Sequence, residues 1–166
     1  MTNATARHLM GKQVHLHWFK PAEFNRGGQN WHPLMSPYLL VLIDVARTMH
    51  GRPVYVSGHN RAVGRFDGRN NDSQHNFDRW DEVRAVDLFF EGSGEPGAVE
   101  FIADMLDEIG FTGIGLYPQW RNNQGEIQPG FHVDVRSDRR PGDPATWGYL
   151  NGEFVTLADA IEWCED

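Results

Sequence analysis

Two histidines and a carboxylate are the residues of this chain best suited to chemistry: His75, Asp87 and His132. Two imidazoles plus one carboxylate, with a fourth position left open, is a common way to hold catalytic zinc. The surrounding sequence predicts a matching geometry. RAVDLFF, residues 84–90, alternates and is rich in Val and Phe, so it reads as a strand carrying Asp87. FHVDVR, residues 131–136, also alternates, placing His132 and Asp134 on one face and Val133 and Val135 on the other. A buried carboxylate is costly unless it is paired or bound to a cation. A lone His or Asp is more often a surface or hydrogen-bonded residue than a ligand. Spacing alone leaves both readings open.

Other pieces fall in a telling order. They are Ser73-Gln74-His75, Ala85-Val86-Asp87, Gly113-Ile114-Gly115-Leu116-Tyr117-Pro118 and His132-Val133-Asp134. Val56-Ser57-Gly58 and FKPAEF, residues 19–24, precede them. This ordered set resembles the zinc peptidases of the Hedgehog/DD-peptidase superfamily, which includes D-Ala-D-Ala carboxypeptidases and phage L-alanyl-D-glutamate endolysins. The resemblance covers residues 16–137. It implies an α+β fold, Zn2+ held by His75, Asp87 and His132, and metal-activated water that cleaves peptidoglycan stem peptides or cross-links. It implies substrate contacts from Ser73, Tyr117, His59 and Arg61.

Three positions depart from the family pattern. His75 and Asp87 lie twelve residues apart with no glycine between them, where the family uses H-x-x-G-x-A-x-D. Pro129 stands where many members carry an acid three residues before the last His. The family's S-G-Y-R arginine is replaced, Arg61 lying two residues late in Ser57-Gly58-His59-Asn60-Arg61. Asp134 then becomes the first candidate for general base, with orientation of His132 as its rival role. Arg61, with Arg65 as second choice, would hold a substrate carboxylate or polarise the scissile carbonyl. Glu126 could swing in as a loop-borne base.

The elements that position these groups follow from pattern. Residues 1–13 are polar and read as loose or weakly helical, and 13–19 alternates as a short strand with His15 and His17 on one face. Residues 19–33 are rich in turn formers. Ser36-Pro37 opens a helix that Gly51 stops, with Leu39, Leu42, Ile43, Ala46 and Met49 inward. A strand begins at Pro53, and residues 59–72 read as a solvated loop or a substrate rim. Residues 97–109 form an amphipathic helix, 111–117 a strand, and 118–130 a loop in which Trp120 stacks on substrate or on its own loop. Asn151-Gly152 turns a hairpin, and 157–164 is a final helix, so residues 146–166 add a hairpin and helix outside the resemblance.

The whole reads as a single domain, residues 1–166, with a mostly antiparallel sheet and packed helices. A net charge of −8 argues against nucleic acid, because phosphate binding needs clustered Lys and Arg. No apolar run is long enough to span a membrane, and the start lacks a signal peptide's apolar core. Synthesis in a cytoplasm is expected, with delivery to a wall left to another agent. The single cysteine, Cys164, rules out an intrachain disulfide. The alternative function is a non-catalytic metal-binding or structural protein on the same fold, for example in a phage particle docked to another protein.

Overall fold

The computed structural model describes residues 14–166. The expectation for residues 1–13 lies outside the described residues. Two short 3-10 turns, Pro21–Phe24 and His32–Leu34, flank a two-stranded hairpin, β1 (Asn25–Arg26) and β2 (Gln29–Asn30). Then come α1 (Pro37–His50), β3 (Val54–Val56), a one-turn helix α2 (Phe77–Trp80) and β4 (Ala85–Phe90). The rest is α3 (Ala98–Ile109), β5 (Gly113–Tyr117), β6 (Gly130–Asp134), β7 (Ala145–Leu150), β8 (Glu153–Val155) and α4 (Leu157–Glu165).

Six of the strands form one sheet in the order β3-β4-β6-β5-β7-β8. Every pairing is antiparallel except β5 with β7. The fold is therefore mixed α+β with a mostly antiparallel sheet. No described helix is long and apolar enough to cross a membrane.

Alternation along the strands gives the sheet two different faces. Val86, Leu88 and Phe90 of β4, Ile114 and Leu116 of β5, and Phe131 and Val133 of β6 are buried in one core. Leu39, Leu40 and Ile43 of α1 and Ile102 and Leu106 of α3 share that core. Burying such side chains stabilises by about 1.5–3 kcal/mol each. The opposite face carries a polar row. Asp87 of β4 pairs with His132 of β6, His132 with Gly115 of β5, and Gly115 with Trp147 of β7.

Local chemistry fixes the helices. Ser36 Oγ accepts the Leu39 N–H at 3.3 Å to start α1, and Gly51 ends it at φ 72°. Thr156 caps α4 by the same device. The Asn151-Gly152 turn adopts φ 50° and 86° and joins β7 to β8 as expected.

Three readings of the sequence need correction. Residues 14–19 do not form a strand: the backbone N–H groups of His17 and Trp18 both donate to the Asp44 carboxylate, 2.9 Å each, so no sheet partner is needed. His15 and His17 are exposed. Met49 points outward from α1, and Leu40 takes the inward place instead. The loop over residues 59–72 is not simply solvated, because Ala62 and Val63 at its centre are fully buried.

Candidate metal centre

Asp87 and His132 are cross-strand partners, so their side chains rise side by side from the polar face. His132 Nδ1 lies 3.2 Å from Asp87 Oδ1. His75 comes from a loop, yet its Nε2 reaches 3.1 Å from His132 Nδ1 and 3.3 Å from Asp87 Oδ1. The three ligand atoms thus form a small, nearly equilateral triangle, and the three residues form a group able to hold a metal ion.

The partners on the far sides of the imidazoles decide what the triangle can bind. His75 Nδ1 sits 2.6 Å from the Val63 carbonyl, so that nitrogen carries the proton and Nε2 presents a lone pair. His132 Nε2 donates to Asp134 Oδ2 at 2.9 Å, which leaves Nδ1 as its lone pair. Two ring nitrogens and a carboxylate oxygen therefore converge, an arrangement that can hold a cation. Ligands about 2.05 Å from a tetrahedral zinc stand roughly 3.3 Å apart, which matches the triangle. A carbonyl and a carboxylate behind the imidazoles are the usual supports of metal-bound histidine.

Without a metal, protons can take its place. Burial alone would raise the Asp87 pKa, but His75 and His132 outweigh it and hold this carboxylate well below the usual range. Burial would likewise lower the His132 pKa. Its contacts with Asp134 and Asp87 prevail and raise it to about 9.

Asp134 is fully buried and lies behind His132. Besides the imidazole, it accepts the Arg136 backbone N–H at 3.1 Å and the Arg136 guanidinium through Nε at 2.9 Å. Burial would raise its pKa, but Arg136 and His132 depress it strongly. Two glycines make room for this layer. A Cβ on Gly113 would stand 2.2 Å from Asp134 Oδ1, and one on Gly115 would stand 2.4 Å from the Trp147 indole. The Gly-Ile-Gly spacing thus fits a carboxylate under one position and an indole under the next. Trp147 in turn packs on His132, ring centroids 5.2 Å apart.

The long interval between His75 and Asp87 is absorbed without loss of the triangle. Asn76 caps α2, which returns the chain through Asp81 at φ 57°. Asn76 itself is fully buried and clamps the loop, its Nδ2 donating to the Gly68 and Asn71 carbonyls at 2.7 Å each. The preceding loop completes the support: the Ala62 carbonyl accepts the Asp87 N–H, and the Arg65 N–H donates to His75 O.

The triangle opens into a cleft of about 480 Å3, bordered also by Ser73, Arg65, Tyr117 and Trp147. A second lobe of about 500 Å3 adjoins it and shares Arg65, Asp87 and Trp120. His59, Arg61 and Arg121 line this second lobe only. Arg61 is exposed and paired with Asp67 at 2.8 Å, so it does not border the lobe that holds the imidazoles. Arg65 and Arg136 do, and Arg136 is already paired with Asp134; Arg65 is not so paired. It is half-buried, and no described carboxylate lies within ion-pair distance of it. Burial and the neighbouring Arg61 lower its pKa. The pairing of Arg61 with Asp67, six residues on, could have been suspected from sequence; the half-burial of Arg65 could not.

Ser73 Oγ accepts the His75 N–H at 3.3 Å and so shapes the turn that presents the ligand. Tyr117 accepts the Trp147 indole N–H at 3.0 Å and stacks on Trp120, centroids 4.1 Å apart. Glu126 is exposed in its loop, outside both lobes. Comparison with protein-family models, with curated proteins and with solved structures finds no match.

Proposed function

We propose that the protein is a zinc-dependent peptidase of the Hedgehog/DD-peptidase kind, acting on peptidoglycan stem peptides or cross-links. One observation carries the reading: among the described residues three ligand atoms, not four, converge in the wall of an open cleft. Structural zinc is closed by four protein ligands, whereas catalytic zinc keeps a position free. The order of motifs along the chain supports the family, and the D-amino-acid substrate rests on that resemblance alone.

His75, Asp87 and His132 would hold the ion. Bound there, zinc supplies Lewis acidity, polarising a carbonyl and lowering the pKa of water towards about 7. Asp134 keeps the proton on His132 Nε2 and fixes the ring, which makes it an orienting group rather than the base. Arg65, free of a carboxylate partner at the junction of the lobes, polarises the scissile carbonyl or holds a substrate carboxylate. Tyr117, whose pKa burial raises, stays protonated; its oxygen accepts from Trp147, so its own O–H is free to donate to substrate. Arg61 and His59 contact the part of the substrate in the second lobe.

One observation favours the non-catalytic alternative. Of the carboxylates bordering the imidazole lobe, Asp87 is a ligand and Asp72 is paired with Arg79 at 2.9 Å. Pro129 offers no acid. Purified cell wall incubated with the zinc-loaded protein, with and without chelator, decides between the readings. Peptides released only in the absence of chelator, and lost in Arg65→Gln with zinc content unchanged, support the peptidase. A zinc-loaded protein that frees no amino groups from any wall points to a scaffold.

A further inference from the structure

Arg136 borders the imidazole lobe, yet its guanidinium is committed to Asp134 rather than to the cleft. Alternation puts His132 and Asp134 on one face of β6, and Arg136 follows two residues past the strand's last residue. The backbone of Arg136 is pinned at both its polar groups. Its N–H donates to Asp134 Oδ1 at 3.1 Å, and its carbonyl accepts the Thr112 hydroxyl at 2.9 Å. The side chain then meets the carboxylate as a fork, Nε donating to Oδ1 at 2.9 Å and Nη2 to Oδ2.

Two routes lead from this one guanidinium to His132. The first runs through Asp134, whose Oδ2 accepts both Arg136 Nη2 and the His132 Nε2 proton, the latter at 2.9 Å. A fork fixes the plane of the carboxylate, and that plane aims the hydrogen bond to the imidazole. The second route runs through Trp147. Arg136 Cζ lies 5.1 Å from the indole centroid, and the indole centroid lies 5.2 Å from that of His132. A Cβ on Gly115 would stand 2.4 Å from the same indole, so the sheet closes it off there. The torsion that turns a histidine ring is soft, so contacts at its edge and face must hold it. Charge matters as well. Asp134 is fully buried, and beside a neutral imidazole Arg136 is its one cationic partner among the described residues.

We propose that Arg136 is the positioning residue of His132: the planar fork of its guanidinium, more than its charge, sets the imidazole's orientation and so aims Nδ1 into the triangle. The proposal deepens the peptidase reading and rests on it only for one consequence, tighter zinc.

Arg136→Lys tests it, because lysine keeps the charge and loses both the fork and the flat face over Trp147. Exchange of the imidazole N–H protons with water reads the ring directly, by nuclear magnetic resonance on protein with isotope-labelled histidine. In the zinc-loaded variant the His132 Nε2 proton should exchange about tenfold faster, the loss of roughly one charged hydrogen bond. The His75 Nδ1 proton, held by the Val63 carbonyl, should keep its rate. Zinc affinity should fall about tenfold. Unchanged exchange at His132 overturns the proposal. Equal acceleration at both histidines also overturns it, since that marks general loosening. If the lysine variant does not fold, Thr112→Val takes its place, removing only the hydroxyl on the Arg136 carbonyl. A smaller acceleration at His132 alone is then expected, and no acceleration overturns the proposal. Wild-type protein that takes up no zinc removes the metal reading, and the same two protons in the zinc-free chain still decide on Arg136. Faster exchange at His132 alone, in a zinc-loaded protein that cleaves no wall, supports Arg136 and removes only the peptidase reading.

Discussion

The candidate metal centre is built from two halves held by different physics. Asp87 and His132 stand opposite each other on adjacent central strands, where ladder hydrogen bonds and a packed core fix their separation. His75 stands in a loop, and its place depends on a backbone carbonyl, a one-turn helix and the buried amide of Asn76. The strand half is rigid because the sheet is rigid. The loop half is rigid only because many hydrogen bonds agree. Damage to the first should cost the ion itself; damage to the second should cost order first and affinity as a result.

If zinc joins the two halves as proposed, its removal should show the largest effect. At zinc about a thousandfold above its dissociation constant, binding adds about 4 kcal/mol, so a chelator should lower the melting temperature by roughly 10 °C. His132→Ala should abolish stoichiometric zinc by elemental analysis. An unchanged midpoint with chelator would show that the two halves meet without a metal.

The pH dependence of the zinc-free protein comes next. The His132 pKa is raised in the folded state to about 9, against about 6.5 unfolded. A raised folded value gives stability that is present in full below pH 6.5 and is lost as pH climbs through about 9. The zinc-free protein should therefore lose about 3 kcal/mol across that window, measured by denaturant unfolding. The zinc-loaded protein should hold level there, its ligand nitrogen carrying no proton. A flat zinc-free profile would detach His132 from its carboxylates.

Asn76→Ala tests the loop half alone. It removes two donors and an acceptor from a buried clamp and should cost about 2–3 kcal/mol by denaturant melts. Zinc affinity should fall with it, while near-ultraviolet signals from the sheet persist. Equal loss everywhere would mean the halves are one cooperative unit.

Asp134→Asn makes the finest distinction. If Asp134 orients His132, zinc affinity should drop roughly ten- to a hundredfold by competition with a chromophoric chelator, and excess zinc should restore activity. Activity lost at full zinc occupancy would return Asp134 to the role of base.

The strand half was legible in the sequence because alternation is a local signal. RAVDLFF and HVD announce both the strands and the side that Asp87 and His132 share. The loop half was legible only in part. Nothing local to residues 59–72 says that Val63 is buried or that its carbonyl faces His75, since both depend on segments far along the chain. Arg65 is a case of the same kind: its half-burial comes from the fold, so sequence placed Arg61 ahead of it. The alternation at residues 13–19 misled because Asp44, on α1, captures the two backbone donors a strand would need.

The parallel pairing of β7 with β5 sets an order of assembly. Chain growth delivers β4, β5 and β6 before β7, so both strand-borne ligands and His75 emerge from the ribosome ahead of Trp147. All three residues of the triangle are therefore in the chain before the strand that flanks them. The indole beside His132 joins only through the long-range pairing of β7 with β5, and it borders the cleft without closing it.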